Sequence, residues 1–263
     1  MARVTTEIMD HIAHVTLTRG HKMNGVDTEM AEAIVAAGEA LCDRADIRAV
    51  VLSGEGRAFC AGLDVASFAA LAGGDPEAVV MPRRAGKNTN LYQEVAMVWR
   101  RVPVPVIASL HGVVFGAGLQ LALGADLRVA HPETRLSVME MKWGLVPDMG
   151  GMVLMPKLMR SDVIRRLTYT GEEMSADQAL GWGMVSEIAD DPLVRARQIA
   201  ELIAKKSPSA IRAAKRLIAV AEGDGGEDAV LLAESREQAD LIGKPHQMEV
   251  IAANMQKRDP KFT

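Results

Sequence analysis

Val106-Ile107-Ala108-Ser109-Leu110, running directly into His111-Gly112-Val113-Val114-Phe115-Gly116-Ala117-Gly118-Leu119-Gln120-Leu121-Ala122, is the stretch that decides the fold. The short apolar run after Pro103 and Pro105 reads as a buried strand. The glycines that follow mark a turn, and a helix begins beyond them. The same order occurs upstream, where Ile47–Ser53 reads as a strand closed by Gly54-Glu55-Gly56. There the loop Gly56-Arg57-Ala58-Phe59-Cys60-Ala61-Gly62-Leu63-Asp64 leads into a short helix expected over Leu63–Leu71. Downstream, Leu127–Ala130 is again strand-like. A repeated strand, loop and helix order predicts an α/β core with parallel strands.

Outward from this core, Val4–Asp10 and Ala13–Arg19 alternate apolar and polar residues around His11, as a hairpin does. Asp27 can cap a helix whose Met30, Ile34 and Leu41 fall at helical spacing. Gly73–Pro82 mixes Gly, Pro and acids and reads as a mobile loop, and a helix follows from about Asn88 to Arg101. Strand signals stop at Asp191. Beyond it three helices are expected, Pro192–Lys205, Pro208–Glu222 and Asp228–Lys257, the last weakened near Gly243–Pro245. The chain divides into a core over residues 1–190 and a helical region over 191–263.

Composition narrows the function. A net charge of −4 gives no electrostatic footprint for nucleic acid, although Arg83-Arg84 and Lys205-Lys206 could hold phosphates locally. No apolar stretch is long enough to cross a bilayer, and the first residues hold no secretory apolar segment. Two cysteines, Cys42 and Cys60, fit no disulfide framework or metal spacing, so a reduced cytoplasm and no metal site are expected. Scattered histidines lack the neighbouring ligands that a metal needs.

The two glycine-bearing loops carry the chemistry. Two such turns at neighbouring strand ends can aim two backbone N–H groups at one oxygen, which suits a developing enolate or tetrahedral oxyanion. The alternative is a pair of tight turns with no ligand. Gly116-Ala117-Gly118 is half of a dinucleotide fingerprint, but Leu121 stands where the third Gly belongs. No Gly-x-Ser-x-Gly elbow and no phosphate-binding Gly-x-x-x-x-Gly-Lys run exists. Farther on, Glu140 and Asp148 lie among Met, Val and Leu, where ionisation is costly and the pKa rises toward values useful for proton transfer. A surface Glu140 paired with Lys142, and an Asp148 capping a helix before Met149-Gly150-Gly151, are the other readings.

Taken together in order, Thr16-Leu17-Thr18-Arg19…Asn24, Ala61-Gly62-Leu63-Asp64, Gly116-Ala117-Gly118, Glu140…Pro147-Asp148-x-Gly150-Gly151 and the ending Met255–Thr263 resemble the crotonase superfamily of enoyl-CoA hydratases and isomerases. The likeness covers essentially the whole chain. It implies a ClpP/crotonase-like spiral of ββα units with a C-terminal α-helical region that builds homotrimers or homohexamers. It implies an acyl-CoA thioester substrate, coenzyme A being part of that substrate, with no separate cofactor. The backbone N–H groups of Leu63 and Ala117 would form the oxyanion hole. Lys22, Asn24, Val26, Ala61, Gly62, Asp64 and Gly116 would lie along CoA or substrate, with Lys257 and Phe262 reaching the nucleotide.

Departures from the family pattern matter as much. Hydratases with two glutamates carry the first where this chain has Gln120, twenty residues before Glu140. A glutamine can hold water but cannot take its proton. Asp148, eight residues after Glu140, stands where typical hydratases carry Gly, and dienoyl-CoA isomerase-like members carry acids at both positions. Ala117 replaces a Gly and should narrow the pocket. The dehalogenase branch would need a histidine base from an earlier loop, and none lies between His21 and His111. The expectation is therefore water addition to a 2-enoyl-CoA with Glu140, Gln120 and Asp148 as catalytic residues. Dienoyl-type isomerisation by Glu140 and Asp148 is one alternative, and a non-catalytic binding protein is another. Pocket walls are expected from Val65–Tyr92, with Phe68, Met81 and Tyr92 facing substrate.

Overall fold

Asp10 and His11 both adopt left-handed backbone angles, φ 48° and 68°, and so fold the first two strands back on each other. The structure is a computed structural model that describes residues 2–64 and 74–262. Its strands, among the described residues, are β1 (Val4–Met9), β2 (Ile12–Leu17), β3 (Ala49–Gly54), β4 (Val106–Leu110), β5 (Val113–Phe115), β6 (Leu127–Ala130), β7 (Arg135–Ser137), β8 (Glu173–Ser175) and β9 (Glu187–Ile188). The larger sheet runs β1-β2-β3-β4-β6-β9, antiparallel at the opening hairpin and parallel from β2 onward.

Both faces of this sheet are covered, which is why β3 and β4 read as unbroken apolar runs. Ala49 and Val51 join Ile12, Ile107 and Val129 on one face, under Ala196, Ala200 and Ala204 of the Pro192–Ala204 helix. Val50 and Leu52 point the other way, into the main core with Phe59, Trp99 and Leu121. The Thr28–Cys42 and Leu91–Arg101 helices pack there, capped by the side chains of Asp27 and Asn90.

A second layer stacks beside the first. β5 pairs in parallel with β7, and β7 pairs antiparallel with β8. Single bridges continue the ladder, Cys60 with Val114 and Leu63 with Val26. Each pass of the chain thus gives one strand to the large sheet and the next short segment to the second layer: β3 then Cys60–Leu63, β4 then β5, β6 then β7. That is the expected spiral of ββα units, and it places successive loops side by side.

Several boundaries differ from the sequence reading. The Gly73–Pro82 loop contains a helical turn, Pro76–Val80, because Asp75 accepts a hydrogen bond from the Glu77 N–H and proline occupies the first turn. The expected Asp228–Lys257 helix is two helices, Gly226–Leu241 and Pro245–Met255. Gly243, at φ +73°, and Pro245 break it between them. β5, β7, β8 and β9 hold three residues or fewer, too few for an alternation signal. Most of the expected Leu63–Leu71 helix, and Phe68 with it, lies outside the described residues. Among the described residues, no helix is long and apolar enough to cross a membrane.

Candidate active site

The two glycine loops touch because glycine lets them. A Cβ built on Gly118 would sit 2.3 Å from the Cys60 carbonyl oxygen, so only a hydrogen fits there. A Cβ on Gly62, whose φ is +104°, would lie 3.0 Å from the Phe115 carbonyl and 3.9 Å from the Ala117 nitrogen. Backbone bonds lock the approach: the Cys60 N–H donates to Val113 at 3.3 Å and the Phe115 N–H to Cys60 at 3.1 Å. The Val26 N–H donates to Gly62 at 2.8 Å, and the Asp64 N–H to Val26 at 2.9 Å. Between these, the Leu63 and Ala117 N–H groups donate to no backbone acceptor among the described residues. Ala117 opens the Ala117–Leu123 helix, where an unpaired amide is expected.

Asn24 underpins the first loop. It is fully buried, with its backbone at φ +53°. Its side-chain Nδ2 lies 3.0, 2.9 and 3.1 Å from the carbonyls of Glu55, Ala58 and Phe59. Its amide N–H groups are thus engaged by the loop, while its Oδ1 is buried with no hydrogen-bond partner among the described residues.

Beside the loops opens a cavity of about 430 Å³. Ala61, Gly62, Leu63, Gly116 and Ala117 line one side, and Glu140, Asp148 and Met149 another. Glu140 lies in a short 3-10 turn, Met139–Trp143, that leaves β7 through Val138. Its Oε1 accepts a 2.6 Å hydrogen bond from Gln120 Nε2, and its Oε2 is buried with no hydrogen-bond partner. Gln120 is itself buried in the Ala117–Leu123 helix, and its Oε1 accepts from the Met149 N–H at 2.8 Å and the Gly151 N–H at 2.9 Å. Those two bonds fix the amide orientation, carbonyl toward the turn and NH₂ toward Glu140.

Burial raises the Glu140 carboxyl above its ordinary range; hydrogen bonds from backbone and Gln120 pull it partly back, and the nearby Asp148 charge adds to the rise. Burial likewise raises Asp148, partly offset by a backbone hydrogen bond. Asp148 presents much of its surface at the cavity mouth, yet enough protein surrounds its carboxyl to make ionisation costly. It caps no helix: the N-cap of the following Gly151–Leu154 turn is Gly150. Glu140 does not pair with Lys142, whose ammonium lies 5.9 Å over the Trp143 ring.

Other expected contacts fall elsewhere. Val26 is fully buried, and the Asp64 carboxylate is 2.6 Å from Arg19 in an ion pair. Lys22 is exposed but not on the cavity wall. Phe262 packs edge-on to His246 at 5.2 Å, and its carbonyl accepts from Arg48 at 3.2 Å; neither it nor Lys257 reaches this chain's cavity. Met81 and Tyr92 are not among the described residues that line the cavity, and residues 65–73 of the expected wall lie outside the described residues. Met23, Val113, Phe115, Arg135, Lys142, Trp143 and Glu173 do line the cavity, with Arg135 and Glu173 paired at 2.5 Å. Sequence reading missed Arg135 and Glu173 because β7 and β8 bring them together only through three-residue strands. Cys60 is no nucleophile: burial pushes its thiol to about 12, and Sγ donates to the Asn24 carbonyl at 3.1 Å. Among the described residues, no group of three His, Cys, Asp or Glu could hold a metal ion.

Two carboxyls held partly dry beside two free amides can move protons on a substrate whose developing negative charge the amides receive. Known proteins with this sequence pattern and fold agree with that chemistry. The sequence profile of the enoyl-CoA hydratase/isomerase family matches residues 7–263. The mitochondrial Delta(3,5)-Delta(2,4)-dienoyl-CoA isomerase of Homo sapiens is 34% identical over 217 residues, covering 80% of this chain and 66% of that protein. The (E)-benzylidenesuccinyl-CoA hydratase of Thauera aromatica is 30% identical, covering 81% of this chain and 80% of that one. The crystal structure of an enoyl-CoA hydratase from Mycobacterium tuberculosis H37Rv superposes with a TM-score of 0.86 at 28% identity, covering all of this chain and 99% of that one.

Proposed function

This chain belongs to the enoyl-CoA hydratase/isomerase family, and from that premise we propose that it is an acyl-CoA double-bond isomerase working through a thioester enolate. The observation that carries the choice is the orientation of Gln120: its carbonyl is taken by two backbone amides and its NH₂ by Glu140. An amide so committed supplies no second carboxylate for activating water. Glu140 and Asp148, by contrast, both line the cavity. The matched regions of the human isomerase are the more similar of the two curated relatives described above.

In this reading the thioester oxygen accepts hydrogen bonds from Leu63 N–H and Ala117 N–H. Ionised Glu140 removes a proton from one carbon of the acyl chain, the electron pair spreads into the conjugated enolate, and protonated Asp148 delivers a proton at another carbon. The double bonds shift, nothing is added, and the two carboxyls exchange protonation states, reset through solvent. Each amide donor contributes roughly 100- to 1,000-fold, and each acid or base step roughly 100- to 10,000-fold. Ala61, Gly62 and Gly116 line the thioester's path, Lys22 stands beside it, and Lys257 and Phe262 serve a neighbouring subunit's nucleotide in a trimer or hexamer. The Gly226–Leu241 helix buries no residue within one chain and exposes Leu231 and Leu232, which suits packing against another copy and supports reading residues 191–263 as a trimerising region. Two unpaired cysteines suit a cytoplasmic setting.

Hydration is the second reading, favoured by the exposed position of Asp148 at the cavity mouth, where water has access. Separate incubations with a 3,5-dienoyl-CoA and with crotonyl-CoA decide between them. Growth of the conjugated 2,4-dienoyl thioester absorbance, with crotonyl-CoA unchanged, is expected. Loss of the crotonyl-CoA absorbance with the dienoyl substrate untouched overturns isomerisation. Silence on a broad acyl-CoA panel with intact CoA binding would instead leave a non-catalytic binding protein.

A further inference from the structure

We propose that Gln120 is a positioning residue, a single oriented amide that ties Glu140 and the turn carrying Asp148 into one proton-handling unit. It rests on the isomerase reading for its consequence in turnover, but its geometry stands independently. Three contacts meet on one side chain: Nε2 to Glu140 Oε1 at 2.6 Å, and Oε1 from the N–H groups of Met149 and Gly151 at 2.8 and 2.9 Å. Asp148 precedes the first of those amides directly. The site is built to size, since a Cβ placed on Gly151 would lie 2.8 Å from Gln120 Oε1. Glu140 Oε2, buried and without a partner, is the end of the network.

The amide does what a glutamate in its place would not. A carboxylate could accept the same two backbone N–H groups, but it would face Glu140 with a second negative charge, and one of the two would have to hold a proton. The Gln120 NH₂ group stabilises the ionised form of Glu140 instead. A dry carboxyl is thereby kept available as a base. Removing that bond favours the protonated form, so the acidic limb of activity moves to higher pH.

Gln120→Glu preserves shape and both backbone contacts, and Gln120→Met removes all polar contact. The pH dependence of kcat/KM on a 3,5-dienoyl-CoA is measured for both. In each variant the acidic limb is expected to move up by about one pH unit or more, as loss of a charge-assisted hydrogen bond implies. Activity at pH 7 would fall about 10- to 100-fold and recover as pH rises, with KM little changed. A uniform loss across pH, with the limb unmoved, would mean a merely structural Gln120 and overturn the proposal. If the wild type isomerises nothing, the functional reading fails but this one is still tested. A carbon-13 NMR titration of the Glu140 carboxyl, identified by its loss in Glu140→Gln, should move upward in Gln120→Glu. An unchanged midpoint sinks it. Circular dichroism of each variant establishes that the fold is retained, and Gln120→Glu, the isosteric change, carries the test if Gln120→Met unfolds.

Discussion

The two walls of the cavity are built on opposite plans. The glycine loops are tied from all sides: Gly118 has no room for a methyl group, Asn24 holds three carbonyls, and ladder bonds join Cys60 to both Val113 and Phe115. The acid-bearing segment from Met139 to Met149 is a 3-10 turn followed by open chain, and exposes Met141, Trp143, Leu145 and Val146. The Leu145 N–H bonds back to Glu140 at 3.1 Å, and Gln120 grips the segment from beneath. Backbone donors must be fixed by the fold itself, since no rotamer can aim them; carboxyls can be aimed late, by one neighbouring amide. Substitutions in the two walls should therefore fail differently.

The largest effect expected is on the acid wall. Glu140→Gln keeps shape and the bond from Gln120 but cannot take a proton, so isomerase kcat should fall about 1,000-fold, with acyl-CoA binding retained by calorimetry. Full activity in that variant would remove Glu140 from the chemistry. On the loop wall, Gly118→Ala should lose stability instead. Its new methyl meets the Cys60 carbonyl at 2.3 Å, and overpacking backbone in a closed core costs about 3 kcal/mol. A clear drop in Tm, with lost activity following lost fold, is the expected result. An unchanged Tm would show that the loops are looser than their contacts imply.

Asp148→Asn comes next. Losing the second proton carrier should lower isomerisation about 100-fold while Tm stays near wild type. Glu140 should still exchange substrate protons with deuterated solvent, because removal at the first carbon does not need Asp148. Equal loss of exchange and isomerisation would mean that the two acids do not divide the work.

The contrast also explains what the sequence could reveal. The loops were legible because their requirement is local: glycines after an apolar strand, then a helix, repeated along the chain. Glu140 and Asp148 stood out as acids among apolar neighbours. The orientation of Gln120 did not, since it depends on amides 29 and 31 residues away, and a lone glutamine within an apolar helix carries no signal of its partners. Arg135 and Glu173 were hidden for the same reason, coming together only once β7 and β8 pair. Tyr92 misled by its chemistry: its hydroxyl is engaged with Thr28 at 3.2 Å, away from the cavity wall.

The smallest effect gives the sharpest sign. The folded protein raises the Glu140 carboxyl above its ordinary 4.5, chiefly by burial. The native state then binds a proton more tightly than the unfolded chain does, so stability falls as pH rises from about 4.5 through the folded value, and the full penalty persists above it. Glu140→Gln removes the charge and with it the penalty. Its Tm at neutral pH should be equal to or slightly above wild type, and the gap should close as the pH is lowered below 4.5, where the native carboxyl is neutral as well. Thermal melts of both proteins across that range read it directly. A variant markedly less stable than wild type at pH 7 would mean that the carboxylate contributes to holding the segment, and the division of labour between the two walls would have to be redrawn.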